Sequence, residues 1–413
     1  MTHRSEKVTP RVALAVCFAS LAAFLTLCAV HGLPMADVLV YRAEGAAVAG
    51  GRDLYGFTVT EWQLPATYPP FAALLFTPLA WLPLPLLKGA FLIGNLALLA
   101  CLIHLSTRLA GHPTPRPDGR VAGHPMPRPD GRVAGHPMPR PDVNQTLTLC
   151  TATALALWLE PVFQTLLFGQ INLALACLVL WDLTRAPGAR GTGVAIGVAA
   201  GVKLTPAVFI AYLLLRGRYR EAATAVAAFV GTVALGALVL PRASLDFWTR
   251  HLHDTGRVGK PWIVDNQSLQ GLIARALGDP HPGLAWVLPA AVVAVAGLWL
   301  VRRAPDEPTA VLLAAGTALL VCPISWSHHW VWCVPLIALL LARGRLALAA
   351  VTALLCTART MWLVPHQGAL DLQLPWWQQP LASPYALLGL ALLLGAAAQP
   401  SARSSSASTI RYA

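Results

Sequence analysis

Charge is scarce in this sequence. Only 12% of its 413 residues are charged, against roughly 25% in an ordinary soluble domain. So little charge excludes a single water-covered globular core. Lysine is scarcer still: Lys7, Lys88, Lys203 and Lys260 are the only four among 30 basic residues. A lysine inside an apolar stretch therefore departs from the chain's own habit. Its eight cysteines are scattered, mostly within apolar runs, with no CxxC pair and no zinc-ligand spacing. They read as small buried hydrophobes. Polar segments long enough to fold as a separate soluble domain are also lacking.

What is present is apolar. Hydrophobic residues make up 56% of the chain and mean hydropathy is +0.60, yet the formal charge is +12. On a soluble protein that excess points to nucleic acid; on a membrane protein it marks the cytoplasmic side. A charge-free run over 12–30 follows Arg4, Lys7 and Arg11 and is long enough to cross a bilayer. It reads as an uncleaved first helix. Further apolar runs cover 89–109, 147–159, 171–183, 193–215, 222–240, 284–301, 309–321, 330–341, 346–363 and 385–398. The stretch 71–82 is crowded by Pro69, Pro70, Pro78 and Pro83 and reads as a re-entrant or surface-lying piece. The run 193–215 has arginines at both ends and Lys203 and Pro206 in its middle. A hairpin of two half-helices with Lys203 at its outer tip fits that arrangement.

These runs predict an all-α polytopic membrane protein with about twelve crossings and both termini in the cytoplasm. Residues 1–413 then form one integral-membrane domain. The inner side carries the whole +12, and ten cations face ten acids elsewhere. No nucleic-acid partner is needed to account for the charge. Residues 110–143 repeat a twelve-residue unit (AGHPTPRPDGRV, AGHPMPRPDGRV, AGHPMPRPDV) with three prolines in each unit and no apolar face. They predict a disordered cytoplasmic loop, and 399–413 a short cytoplasmic tail.

Polar residues collect at the outer ends of the runs. Asp37, Tyr41 and Glu44 are spaced to share one face of a short interfacial helix. Tyr68 opens the proline-rich piece, and Gln170 and Asn172 sit between two runs. Lys203, the Asp265-Asn266-Gln267 triplet and the His328-His329 pair fall at the same level. Each has a plain role open to it: a helix cap, a snorkelling lysine, an interfacial aromatic belt, an interhelical hydrogen bond. Together they suit a functional cavity at the membrane edge. A lipid-borne phosphodiester sugar donor needs such a set. Its phosphate leaves without a general acid, while the acceptor hydroxyl needs a base, for which Asp37 is available. Cations and donors hold the phosphate. No metal-ligand set is seen.

At these residues the chain resembles glycosyltransferase family 87 of the GT-C superfamily, through DVLVYRAEGAAVAGGRDLY, YPPFAALLFTPLAWLP, FGQINLALACLVL, GVAAGVKLTPAVF, NQSLQGLIAR and PISWSHHWVW in that order. The resemblance implies a GT-C-like fold whose first extracytoplasmic loop carries interfacial helices. It implies an α-(1→2)-mannosyltransferase working on the outer face of the plasma membrane. The donor is polyprenyl-phosphate-mannose, used with inversion, and no separate cofactor is implied. The acceptor is a phosphatidylinositol mannoside, lipomannan or lipoarabinomannan. It assigns Asp37 as base and Lys203, His328 and His329 to the donor phosphate. Tyr41, Tyr68, Gln170, Asn172, Asn266 and Gln267 are assigned to sugar or acceptor. A transferase using another pentose or hexose donor, a lipid or solute transporter, and a membrane scaffold are the alternatives.

Overall fold

The computed structural model describes residues 10–111, 143–186 and 188–398. The expectations for the proline-rich repeat and for the tail lie outside the described residues. The architecture is helical, with one two-stranded ribbon, β1 (Thr58–Val59) against β2 (Leu64–Pro65). Among the described residues, five helical stretches are long and apolar enough to cross a membrane, six when a bent pair is counted as one, and six shorter apolar helices accompany them. This is a polytopic membrane protein.

The chain enters through α1 (Pro10–His31) and reaches α2 (Ala36–Ala49). The proline-rich piece is broken into α3 (Pro70–Phe76) and a 3-10 turn (Thr77–Trp81), both lying against α2. Pro78 has no amide hydrogen for a regular helix to use. The long α4 (Leu84–Ala110) follows. The run over 147–159 is carried by α5 (Val143–Ala156), and a helix the sequence did not announce, α6 (Glu160–Phe168), follows it, bent from α5 by 79°. Pro161, at the second position of α6, starts a new helix there. Next come α7 (Asn172–Leu183), α8 (Val194–Val202), α9 (Val208–Leu215) and α10 (Tyr219–Val239). Beyond α11 (Pro241–Asp246), a long loop leads to α12 (Leu269–Leu277). The chain then runs through α13 (Leu284–Arg303), α14 (Glu307–Val321), α15 (Cys333–Ala342) and α16 (Leu346–Ala358). It closes with α17 (Gln379–Ala382) and α18 (Pro384–Ala397).

Glycines fix where Lys203 stands. Gly193, Gly197 and Gly201 recur every four residues on α8, and a Cβ on them would collide with Glu221, Ala225 and Thr232 respectively. The partners ascend in the same order, so α8 and α10 run in the same direction. The chain must therefore turn back between them, which it does through Lys203 and α9. Close approach through small residues is how helices pack where no hydrophobic force drives them together. A Gly197→Leu variant is expected to lose about 1–4 °C of thermal midpoint in detergent, since overpacking costs about 1–3 kcal/mol, and to lose donor use as Lys203 shifts. An unchanged midpoint with full activity would show that the packing is not tight.

The same geometry sorts the chain into two ends. At one end Arg108 donates to the Thr184 carbonyl (3.2 Å) and Asp182 accepts from the Gly193 and Ile196 amides (2.7 and 3.2 Å). Arg216 pairs with Glu307 (3.1 Å) and Arg343 with Asp306 (2.7 Å) there. Arg108, Arg216 and Arg343 thus stand at one end with their partners. Lys203 and its partners occupy the other end.

Candidate active site

The helix α2 brings Asp37, Tyr41 and Glu44 onto one face, as their spacing predicts. Tyr41 and Glu44 are fully buried, while Asp37 in the first turn stays half-buried. Gly45 lets the Phe76 carbonyl lie directly on the helix, where a Cβ would collide with it. Glu44 accepts from the Thr67 amide (3.2 Å), fixing the chain that leads into Tyr68. Burial pushes the Glu44 carboxyl up to about 8 against the opposing amides of Thr67 and Tyr68. It is therefore neutral at pH 7. Asp37 is also raised by burial, to about 6, with the Gln170 amide and the Lys203 charge opposing. At neutral pH Asp37 remains ionised, and it is more basic than an exposed aspartate.

Two tyrosines orient Gln170. Tyr41 and Tyr68 lie with their hydroxyls 3.0 Å apart, and both donate to Gln170 Oε1 (3.2 and 3.3 Å). With its oxygen so occupied, the amide turns its NH2 toward Asp37. Gln170 sits in the turn that Gly169 makes at φ 70, and a Cβ there would strike Val38.

Lys203 is built into a second set. Its ammonium donates to Asn172 Oδ1 (3.1 Å) and lies 3.0 Å from His329 Nε2. Lysine has no acceptor, so His329 Nε2 accepts and its ring proton sits on Nδ1. Asn172 is oriented from its other side, where Nδ2 donates to the His328 carbonyl (3.0 Å). The Tyr68 ring faces the ammonium at 5.7 Å, joining the lysine set to the aspartate set. The His328 ring packs edge-on against His329 and Phe168. It is 4% exposed, and neither ring nitrogen has a hydrogen-bond partner. Lys203 and His329 line a pocket whose other walls include Leu175, Val179, Phe209, Ala315 and Leu319. A cation opening onto an apolar slot can hold the anionic head of a lipid whose tail enters the slot.

Asn266 and Gln267, expected at a sugar or acceptor, are not in the cavity. Both are fully buried. Asn266 donates to the Pro261 and Pro323 carbonyls (2.8 and 2.9 Å) and accepts from the Ser325 amide (2.9 Å). Gln267 donates to the Val264 and Ala382 carbonyls (2.6 and 2.8 Å) and accepts from the Tyr385 amide (3.0 Å). Their amides are spent on backbone, so they serve as scaffold. Three polar residues outside the expected set matter here. Asp265 is half-buried and close enough to Asp37 to act on its charge. Glu160 is fully buried, accepting from the Tyr385 hydroxyl (2.8 Å) and the Trp362 indole (3.1 Å). Arg275, also buried, donates to the Ile263 and Asn266 carbonyls (2.8 and 3.1 Å). An acid at the end of an apolar run was the available sign for Glu160; Arg275 gave none.

The sequence profile of glycosyltransferase family 87 matches residues 66–323, more than half the chain. A polyprenol-phosphate-mannose-dependent alpha-(1-2)-phosphatidylinositol mannoside mannosyltransferase of Mycobacterium tuberculosis is 35% identical over 89% of this chain and 85% of its own length. Its namesake in Mycolicibacterium smegmatis is 35% identical over 73% of this chain and 68% of its own length. A phosphatidylinositol pentamannoside mannosyltransferase of M. tuberculosis, dependent on the same donor, is 33% identical over 75% of this chain and 67% of its own length. No solved structure matches. A half-buried carboxylate and a lysine in an apolar-walled pocket, each within reach of the other's charge, thus lie in a chain that belongs to glycosyltransferase family 87.

Proposed function

We propose that this protein transfers mannose, with inversion, from polyprenyl-phosphate-mannose to a phosphatidylinositol mannoside or a lipomannan-type acceptor, forming an α-(1→2) bond. The observation that carries the reading is Lys203, held by Asn172 and His329 in a pocket with apolar walls, with its charge reaching the Asp37 carboxyl. The donor phosphate sits against Lys203, His328 and His329, and its isoprenoid tail follows the slot. The acceptor hydroxyl attacks the anomeric carbon from the face opposite the phosphate. As the new C–O bond forms, the bond to the phosphate oxygen breaks and polyprenyl phosphate leaves with the electron pair. Asp37 takes the hydroxyl proton. The phosphate gains negative charge in this step, and Lys203 stabilises it in the transition state. Tyr41, Tyr68 and Gln170 hold Asp37 toward the acceptor, and Asn172 holds Lys203. A phosphate needs no protonation to leave, so the reading assigns no cofactor.

The arginine-bearing end is cytoplasmic under the positive-inside rule. The chain then crosses the plasma membrane about twelve times, with both termini inside and the cavity on the extracytoplasmic face.

The test uses the full chain in lipid nanodiscs with radiolabelled polyprenyl-phosphate-mannose and phosphatidylinositol mannosides. The expected product is a lipid-extractable mannoside whose label an α-(1→2)-mannosidase removes. Transfer directly from a nucleotide sugar, or export of the donor without transfer, would overturn the reading.

A further inference from the structure

The turn holding Asp265 is fixed more heavily than a loop of its length requires. Asn266 and Gln267 tie it to the loop that carries the histidines, and the Gln267 amide adds a bond to the Ser325 carbonyl (2.8 Å). Behind it Arg275 also donates to the Trp262 carbonyl (3.2 Å) and to Ser383 Oγ (2.8 Å). Asp371 accepts from the Val264 amide (2.8 Å). Held this way, the turn leaves one side chain of its triplet half-open, the Asp265 carboxylate. Its Oδ1 accepts from the Ser327 amide (3.1 Å), next in sequence to the unpartnered His328 ring. Asp265 is close enough to raise the Asp37 carboxyl. Burial raises the Asp265 carboxyl too, with Ser327 opposing.

We infer that Asp265 is a sugar-binding residue: anchored through Oδ1 to the Ser327 amide, it accepts hydroxyl hydrogens of the donor's sugar through its other oxygen. The inference rests on the proposed sugar–phosphate lipid donor and names the part of the site that reads the sugar. An ionised carboxylate only accepts hydrogen bonds, so it repels the donor phosphate and suits a polyol. Charge-assisted bonds to hydroxyls are about twice as strong as neutral ones. Asp265 is tethered to the histidine loop, whereas Asp37 sits across the cavity on α2 with Gln170. A sugar whose phosphate is at Lys203 and His328 then has one carboxylate for its ring hydroxyls and another for the incoming acceptor. Desolvating a second acid beside Asp37 is costly, and the sugar hydroxyls offset that cost when the donor binds.

The experiment compares bare polyprenyl phosphate with the mannosylated donor on the full chain, in wild type, Asp265→Ala and Asp265→Asn. Wild type and variants should bind the bare carrier within about threefold of one another, since it has no sugar to lose. Affinity for the mannosyl donor is expected to fall about thirtyfold in Asp265→Ala, the range for a lost hydrogen bond to a charged group. Asp265→Asn keeps an oxygen for the Ser327 amide and falls between. In both variants the preference for mannosyl over glucosyl donor should narrow. Equal weakening of both ligands would make Asp265 a structural support and overturn the assignment. So would normal donor affinity with lost turnover, which would make it a second base. A wild-type chain that transfers sugar from no polyprenyl phosphate would overturn the donor reading as well. Wild-type transfer with undiminished donor affinity in Asp265→Ala overturns this assignment alone.

Discussion

In an Asp37→Asn variant, mannose transfer is expected to fall by about a thousandfold with the donor still bound, within the usual range for losing a general base. Asparagine keeps the shape of the side chain and an oxygen for the Gln170 NH2, so the cavity survives. What it loses is the pair of electrons that receives the acceptor proton. Wild-type kcat/KM should fall about tenfold per unit of pH below 6, where burial places the Asp37 carboxyl. Stability moves the other way. A carboxyl raised from 3.8 to about 6 on folding is neutral in both states below pH 3.8. Its unfavourable contribution grows as pH rises through 6. At pH 8 that contribution is on the order of 2 kcal/mol after allowance for its partial exposure. Asparagine never ionises, so the variant should melt higher than wild type at pH 8, and the two should converge near pH 4. Scanning fluorimetry and donor-transfer kinetics across pH check both halves. Retention of more than a tenth of wild-type kcat would remove Asp37 as the base.

The elements of this site differ in how plainly the sequence announces them. The Asp37 face of α2 follows from helical spacing alone, and the break at Lys203 follows from a lysine and a proline inside an apolar run. The hairpin direction was readable because arginines flank both its ends, and the glycine contacts with α10 give the same direction. The triplet at 265–267 resisted reading. It lies in an irregular turn, where no period says which side chain faces inward. Contacts to Ser325, Ala382 and Tyr385, far away in the sequence, decide it. The two amides matched the scaffold's backbone groups and were consumed by them, while the acid between Val264 and Asn266 was left open. The helix α6 was missed for a different reason: Glu160 and Pro161 close the apolar run at Leu159, and only tertiary packing keeps the chain helical beyond them, bent by 79° from α5.

A Lys203→Met variant is expected to bind polyprenyl phosphate and its mannosyl form about a hundredfold more weakly, near the upper end for a lost hydrogen bond between charged groups. Methionine preserves the apolar stem, so the pocket beneath stays filled and the helices stay in place. The loss falls on the charge, and bare carrier and mannosylated donor should suffer alike, unlike the divergence expected at Asp265. Lys203→Arg restores charge but not fit. The ammonium is held between Asn172 Oδ1 and His329 Nε2 at 3.1 and 3.0 Å, and a planar guanidinium cannot meet both from one nitrogen without moving the histidine loop. That variant should recover part of the affinity only. A second readout separates direct phosphate binding from loop support. The Lys203 charge holds the Asp37 carboxyl down, so its removal should move the acidic limb of kcat/KM above pH 6. A displaced loop with Lys203 unrelated to the site would weaken binding without moving that limb. Unaltered carrier affinity together with an unmoved limb would take Lys203 out of the mechanism, leaving the apolar slot without its cationic end.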